Sequence, residues 1–177
     1  MKAPRASRAS RGTAPLDRRL ARVKVALDRV RAACDVDARR DADPVGIVHR
    51  YADPADRELV ALVAASVAFG NAKVIRAKLD DLLTRVGPSP ARAAEDLRGL
   101  QKALRGWRAR VFQGDDVARL LAGARVLQRR HGSLGARFEA ELARRDAGAG
   151  AGSKALREAL AAWCDAIREA GGLRKDG

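Results

Sequence analysis

The chain contains 177 residues, of which 47% are hydrophobic but only 3% aromatic, and it carries a formal net charge of +14. This length is typical of one domain with a core of its own, and the abundance of alanine favours helices. The longest apolar stretch, Leu59–Phe69, is too short to span a bilayer, and the N-terminus lacks the apolar segment of a secretory signal. We therefore expect a cytoplasmic protein without membrane association.

The two cysteines, Cys34 and Cys164, lie far apart in the sequence. They fit neither a disulfide framework nor the closely spaced ligands of a structural zinc site. Each lies on the apolar stripe of a predicted helix, so we expect two buried free thiols. No metal or cofactor is predicted.

Much of the positive charge lies near the N-terminus. Residues 1–31 contain ten Lys or Arg against two Asp and thus hold +8 of the net charge. A strongly basic N-terminal segment followed by a moderately basic domain is typical of proteins that bind a polyanion, and DNA is the partner that this charge favours. The excess of Arg over Lys has a second explanation, the codon usage of a GC-rich genome.

The first half of the chain predicts four helical segments after a disordered basic tail. The segments share apolar residues at spacings of three and four, and they stop at breaks or at Gly and Pro. The segment that begins at Asp53 and Pro54 is apolar nearly all round and is expected to be the central buried helix. The predicted helices are 16–34, 44–51, 53–69 and 71–86, with the tail at 1–15 and a break at 35–43.

The second half predicts four further helices, no strand and no repeat. Trp107 and Phe112 are expected to pin the loop 106–114 to the core, and the last helix to bury a stripe of Leu156, Leu160, Trp163 and Ile167. The fold class is therefore all-α, a compact domain of about seven to eight helices over residues 16–173. The predicted helices are 89–105, 115–131, 133–145 and 153–170, with a flexible linker at 146–152 and a disordered end at 174–177.

Catalytic motifs are not evident in the sequence. No nucleophile elbow, Cys/His pair or phosphate-binding glycine loop is recognisable, and His49 and His131 each lie at a predicted helix end. The two helices on either side of Gly70 could be read as a helix-turn-helix. Asp80 and Asp81 on the second helix argue against this interpretation, because they would repel phosphates.

A family resemblance is carried by three segments of the sequence. The first reads Asp-Pro-Val-Gly-Ile-Val-His-Arg-Tyr over 43–51 and continues through Asp-Pro-Ala-Asp-Arg-Glu at 53–58 to Ser-Val-Ala-Phe-Gly at 66–70. The others are Arg-Val-Phe at 110–112 and His-Gly-Ser-Leu at 131–134. The chain resembles the bacterial domain of unknown function 2400 family over roughly residues 16–173. The positions that carry the resemblance most specifically are Asp43, Pro44, Tyr51, Asp53, Pro54, Arg57 and Gly70.

That family is in turn distantly similar to the helix-hairpin-helix base-excision glycosylases, and the resemblance implies part of such a fold. In those enzymes the matching helix pair carries a Ser-Gln-Gln-Thr type segment that wedges into DNA beside an extruded base. Here the stretch reads Ser66, Val67, Ala68, Phe69, Gly70 and Asn71, without the glutamines. Phe69 could act as an apolar wedge, although a core position is the interpretation that we favour from the sequence.

The resemblance also implies a further catalytic part with a hairpin and a catalytic Asp, and this chain stops at Gly177 without a counterpart. We therefore expect a truncated, frameshifted or split member that is not active as an enzyme by itself. DNA, a separately encoded second half or another protein are the partners that this expectation implies.

Three functional hypotheses follow. The first is a DNA-binding helical domain related to base-excision glycosylases. The second is a helical protein–protein interaction module or a non-functional fragment. The third is an enzyme of unknown chemistry built from His49, Asp53, Arg57 and Ser66. The DNA-binding residues predicted under the first hypothesis are Arg18, Arg22, Arg57, Ser66, Phe69, Asn71, Lys73 and Arg76.

Overall fold

A computed structural model of the chain describes residues 14–149 and 152–173. The chain divides into two compact units, residues 1–38 and 39–177. Ten helices and one two-stranded hairpin occur in the described ranges, so the all-α prediction is confirmed, with two more helices than expected. Their bounds are α1 Ala14–Ala32, α2 Val36–Ala42, α3 Val45–Val48, α4 Pro54–Ser66, α5 Ala72–Val86, α6 Pro90–Ala93, α7 Leu97–Ala103, β1 Arg108–Ala109, β2 Phe112–Gln113, α8 Gly114–His131, α9 Leu134–Ala149 and α10 Ser153–Ala170.

The predicted disordered segments fall largely outside the part of the chain that the structure describes. Residues 1–13 and 174–177 lie outside it, as do 150–151 within the predicted linker. Helix α1 begins at Ala14, inside the segment predicted as a tail, and α9 continues to Ala149, inside the predicted linker. Alanine explains both extensions, because it has the highest helix propensity of any residue. Where the described residues allow a search, no helix is both long and apolar enough to cross a membrane.

Helix α2 occupies the stretch that the sequence predicted as a break. The Oδ1 atom of Asp35 accepts the N–H of Ala38 at 2.9 Å, as an N-terminal capping carboxylate does. The helix contains no buried residue, so it lacks the apolar stripe from which a helix can be recognised.

The core of the second unit forms around α4. Asp53 caps this helix by accepting the N–H groups of Ala55 and Asp56 at 2.8 and 3.1 Å, and Pro54 occupies its first turn. The prediction of a central buried helix is confirmed, because its apolar side chains are almost fully buried. The largest fully buried side chains of the unit are Ile47, Leu59, Leu79, Leu82, Leu104, Leu121 and Ile167.

The single helix predicted over 89–105 is wrong, since two short helices, α6 and α7, replace it. Asp96 interrupts the segment in an extended conformation, and its Oδ1 accepts the N–H of Gly99 at 3.0 Å to begin α7. Asp115, predicted as the cap of the next helix, instead accepts from Gln101 and Arg119 at 2.6 and 2.8 Å. Both hydrogen bonds lower the pKa of the Asp115 carboxyl, and the one from Arg119 has the larger effect.

Helix α10 buries only part of the predicted stripe. Ile167 is buried and Trp163 is partly buried against the core, as predicted. Leu156 and Leu160 are about half exposed, and Ala155 and Ala159 are buried instead. Small residues allow α10 to lie close to α8. A Cβ atom on Gly123 of α8 would overlap the carbonyl oxygen of Ile167 in α10. The prediction of two buried thiols is also wrong. Cys34 is half-buried and Cys164 is exposed, next to the exposed leucine face.

Candidate functional site

The chain makes a tight turn between α4 and α5 that exposes Phe69. The sequence predicted that α4 continues to Phe69, but the helix ends at Ser66. The N–H of Phe69 then bonds to the carbonyl oxygen of Val67 at 2.7 Å, which bends the backbone. The side chain of Phe69 is 59% exposed, so the predicted core position is wrong.

Gly70 follows in a conformation that only glycine adopts readily, with φ of 111°. The guanidinium of Arg110 lies over it: a Cβ atom on Gly70 would be 2.6 Å from Nη2 and 3.3 Å from Cζ of Arg110. The absence of a side chain at Gly70 therefore permits Arg110 to lie against the turn.

Arg110 lies at the tip of the hairpin formed by β1 and β2. Ala109 pairs with Phe112, so Arg110 and Val111 form a two-residue loop. Among the described residues, Arg110 is the only non-glycine residue with positive φ, at 52°. Loops of this type usually have glycine or asparagine where φ is positive, because a longer side chain costs about 1–2 kcal/mol there. Val111, beside it, is 83% exposed.

Trp107 fixes this hairpin to α5. The indole is buried, and its Nε1 donates to the carbonyl oxygen of Lys78 at 3.3 Å. The prediction that Trp107 pins the loop is confirmed, and Phe112 is half-buried against the core as well. We name the exposed region formed by Phe69, Gly70, Asn71, Arg110 and Val111 the turn–hairpin surface.

Two cavities lie on either side of this surface and share Val67, Phe69, Val111 and Phe112. The larger, which we name the α5 cavity, has a volume of about 610 Å³. The smaller, the α8 cavity, has about 480 Å³. The α5 cavity is completed by Asn71, Val74, Ile75, Lys78, Ala109 and Arg110. The α8 cavity is completed by Val63, Ala65, Ser66, Asp116, Val117, Leu120, Arg168 and Leu173.

In the described part of the chain, the charged residues that line the α5 cavity, Lys78 and Arg110, are both positive. Neither Lys78 nor Arg110 contacts a carboxylate within the described ranges. The two acidic residues of α5 do have partners: Asp80 pairs with Arg50 at 2.7 Å and Asp81 with Arg85 at 2.9 Å. The acidic charge that argued against phosphate binding by α5 is therefore neutralised, and the cations of the cavity are available.

Two of the predicted DNA-binding residues, Phe69 and Asn71, belong to the turn–hairpin surface, and a third, Ser66, lines a cavity next to it. Phe69 lines both cavities, Asn71 lines the α5 cavity and Ser66 the α8 cavity. The Oδ1 of Asn71 caps α5 by accepting from Lys73 and Val74, which leaves its amide NH₂ group to donate. Ser66 uses its hydroxyl within α4, where it donates to the carbonyl oxygen of Leu62 at 2.8 Å.

The remaining predicted residues lie elsewhere. Lys73 and Arg76 line neither cavity, because the helical period places them on another side of α5 from Val74 and Lys78. Arg57 lies at the opposite end of α4 from Ser66, about 13 Å away along the helix axis. Arg18 and Arg22 are exposed residues of α1, in the other unit.

Most of the residues that carry the family resemblance begin helices or connect them. The Oδ1 of Asp43 accepts the N–H of Val45 at 2.8 Å, and Asp53 and Pro54 begin α4 as described above. The Nε of Arg57 donates to the carbonyl oxygen of Tyr51 at 2.9 Å and so holds the connection between α3 and α4. Burial, followed by the charge of nearby Asp56, raises the pKa of the Tyr51 phenol. Gly70 alone of this set belongs to the turn–hairpin surface, while Pro44 precedes α3.

Most residues of the α5 cavity were absent from the predicted site, among them Val74, Lys78, Arg110 and Val111. The helical periodicity of apolar residues cannot indicate Arg110 and Val111, because these two residues lie in a loop. One signal was present in the sequence: none of the four residues between the anchors Trp107 and Phe112 is glycine or asparagine, although a short hairpin loop ordinarily contains one of these.

The geometry does not assemble the residues of the enzyme hypothesis. Asp53 and Arg57 are occupied in capping and connecting α4, Ser66 lies at its far end, and His49 follows α3 as an exposed residue. In the searched part of the chain, no group of three or more His, Cys, Asp or Glu side chains could hold a metal ion.

Comparison with known proteins identifies a family for this chain but no characterised relative. No curated protein and no solved structure matches it. One family model, described as protein of unknown function (DUF2400), matches residues 43–176 and thus includes every residue of the turn–hairpin surface. Since this match covers most of the sequence, the chain belongs to the DUF2400 family of proteins of unknown function.

Proposed function

We propose that this chain is a DNA-binding helical domain, related to base-excision glycosylases, that contacts DNA through the turn–hairpin surface. The observation that carries the proposal is an exposed aromatic side chain, Phe69, beside the unpaired cations Arg110 and Lys78. Together with Val74 and Val111, which are 60% and 83% exposed, Phe69 forms an apolar patch of the kind that marks interaction sites.

Phe69 has the chemistry of a wedge. Apolar side chains that enter between base steps unstack them and bend the duplex, and phenylalanine is among those that do so. Phe69 stands at a turn fixed on both sides, by the end of α4 and by the Asn71 cap of α5. A wedge requires this rigidity, because a mobile side chain would lose more entropy on insertion.

Arg110 and Lys78 supply the charge. Phosphates lie on both sides of any base step that a wedge enters, and unpaired Lys and Arg side chains release counterions when they bind them. The net charge of +14 adds a long-range attraction for a polyanion.

The test is the binding of fluorescent duplex DNA to the full chain over a range of salt concentrations. We expect the logarithm of the association constant to fall linearly with the logarithm of salt concentration. Lys78→Ala should reduce the slope by about 0.9, as the loss of one phosphate contact does. Lys102→Ala, which removes an exposed lysine of α7 that lines neither cavity, is the matched control and should leave the slope close to that of the wild type. Absence of binding at low salt, or affinity that salt barely changes, would overturn the proposal.

A second candidate function is suggested by α10. Leu156, Leu160 and Cys164 recur at four-residue spacing, and all three are exposed. A helix face of this kind fits an apolar groove on another protein. Size-exclusion chromatography of the wild type and of Leu156→Asp would test it: a monomer in both cases, without binding of an apolar dye, would contradict an interaction through α10.

A further inference from the structure

We infer that the α5 cavity binds an unpaired base, so that the chain prefers single-stranded DNA to a duplex. This inference rests on the proposed function, because it names the form of DNA that the same surface recognises. Three properties of the cavity carry it: its shape, its apolar wall and the position of its polar groups.

The shape of the α5 cavity excludes a paired base. Its volume of about 610 Å³ lies within the range of roughly 300–1,000 Å³ that is usual for small-ligand sites. Phe69 and Val111 line the cavity and are 59% and 83% exposed. A base inside a duplex is covered on both faces and paired at its edge, so it cannot enter a cavity of this size by itself. A base in a single strand is free to do so.

The wall of the cavity suits the face of a base. Val67, Val74, Ile75 and Phe112 form an apolar lining, and Phe69 adds an aromatic ring at the entrance. Stacking on an aromatic side chain is available to every base and does not depend on sequence. Val74 is 60% exposed although it lines this cavity, which leaves apolar surface that a base would cover.

The polar groups lie where the edge of the base and its phosphate would need them. The amide NH₂ of Asn71 has no acceptor among the described residues and can donate to a base edge. Lys78 and Arg110 line the same cavity without a carboxylate partner, so they can bind the phosphates on either side of the base. No acidic side chain lines this cavity, whereas Asp116 lines the α8 cavity. The α5 cavity is therefore the one with the charge that suits a nucleotide.

The experiment compares a single-stranded thymidine oligonucleotide with a hairpin duplex that has the same number of phosphates. Charge alone favours the duplex, because counterion release per phosphate is larger there than on a single strand. We expect the opposite order with the wild-type chain, with the single strand bound about 10-fold more tightly, as one base–aromatic stack can provide. Equal affinity, or preference for the duplex, overturns this inference and leaves the proposed function standing. No binding of either DNA at low salt overturns both.

Three variants distinguish a base bound in the α5 cavity from general electrostatic attraction to DNA. Val74→Met places a longer apolar side chain, without an aromatic face, at the α5 cavity, and it should reduce the preference for the single strand; Val74→Ala, the matched control, should retain it. Phe69→Leu keeps an apolar wedge but removes the aromatic face, so it should reduce single-strand binding about 10-fold while duplex binding stays within twofold. Unfolding curves of each variant verify that it is folded. A Phe69→Leu protein that folds normally and keeps the full preference for the single strand contradicts the inference.

Discussion

The guanidinium of Arg110 lies over the backbone of Gly70, so that a Cβ atom there would be 2.6 Å from Nη2 of Arg110. Two unusual backbone conformations face each other in this contact, φ of 111° at Gly70 and 52° at Arg110. The turn after α4 and the tip of the hairpin are therefore dependent on each other, although 40 positions in the sequence separate them.

Gly70→Ala should destabilise the fold by about 1–3 kcal/mol, because alanine rarely adopts this φ. It should also displace Arg110. The measurement is urea denaturation of the single variant and of the same change combined with Arg110→Gly. Without the guanidinium, Gly70→Ala still strains the backbone but no longer overlaps Arg110. The loss of unfolding free energy caused by Gly70→Ala should therefore be smaller in the Arg110→Gly background than in the wild type. Equal losses in both backgrounds would show that the two residues are not coupled.

Arg110→Gly alone should have opposite effects on stability and binding. Glycine adopts positive φ without strain, so the free energy of unfolding should rise by about 1 kcal/mol. Affinity for DNA should fall, because a cation of the α5 cavity is lost. The matched control is Arg108→Gly, which removes an equally exposed arginine from β1 and should destabilise the protein by about 0.5–1 kcal/mol. If Arg110→Gly destabilises as much as the control, the backbone at the tip is not strained.

Gly123→Ala should be among the most damaging single-methyl changes in the chain. The new Cβ would overlap the carbonyl oxygen of Ile167 and would lie 2.6 Å from the backbone nitrogen of Gly171. Backbone atoms cannot move aside as a side chain can, so we expect a loss of about 2–3 kcal/mol. Gly135→Ala in α9 is the control, since no atom lies within 3.7 Å of its new methyl group. Thermal unfolding should show a lower midpoint for the first variant and an equal or higher one for the second.

The order of the helices was accessible from the sequence because capping residues and apolar periodicity are local signals. Asn71 begins α5 and Ser133 precedes α9 as predicted, each through a side chain that accepts backbone N–H groups. Helix α2 was missed for the converse reason: no residue in it is buried, so its sequence has no apolar stripe.

The candidate site was accessible only in part. Phe69 and Asn71 were identified from the family resemblance and lie in the surface, but the sequence placed Phe69 in the core. That error arose because α4 was extended to Phe69, which would put this residue on a buried helix, whereas the helix ends at Ser66. Arg110 was not identified, since its role depends on a contact with Gly70 that only the folded chain brings about.

Glu58 connects three helices and should be essential for their arrangement. Its Oε2 accepts from Nε2 of Gln128 and from the N–H of Leu134, both at 2.9 Å, and its Oε1 accepts from the N–H of Gly135 at 3.1 Å. Glu58→Ala leaves the first N–H groups of α9 without an acceptor, which should cost about 2–4 kcal/mol. The control is Glu139→Ala, an exposed residue of α9. Urea unfolding that shows equal stability for the two variants would contradict this role.

Glu141 should make the stability of the chain depend on pH in the acid range. The residue is buried, with 3% exposure, and its carboxylate contacts Arg137 at 2.6 Å, Arg145 at 2.8 Å and Arg144. The hydrogen bond from Arg137, more than any other interaction, holds the pKa of this carboxyl below its ordinary value of 4.5. In the unfolded chain the group therefore takes up a proton at higher pH than in the folded chain. The stabilisation is complete above about pH 4.5 and is lost as pH falls through the lower pKa of the folded state.

Glu141→Gln tests this expectation. It should lower the free energy of unfolding by about 1–2 kcal/mol at neutral pH, because three guanidinium groups lose their common anion. The difference from the wild type should shrink as pH is lowered below 4.5, since the wild-type carboxyl is then protonated as well. Glu139→Gln, a change in the exposed part of the same helix, should leave the free energy close to that of the wild type at both pH values. A difference between Glu141→Gln and the wild type that is constant from neutral pH into the acid range would show that the lost contribution is not that of an ionised carboxylate.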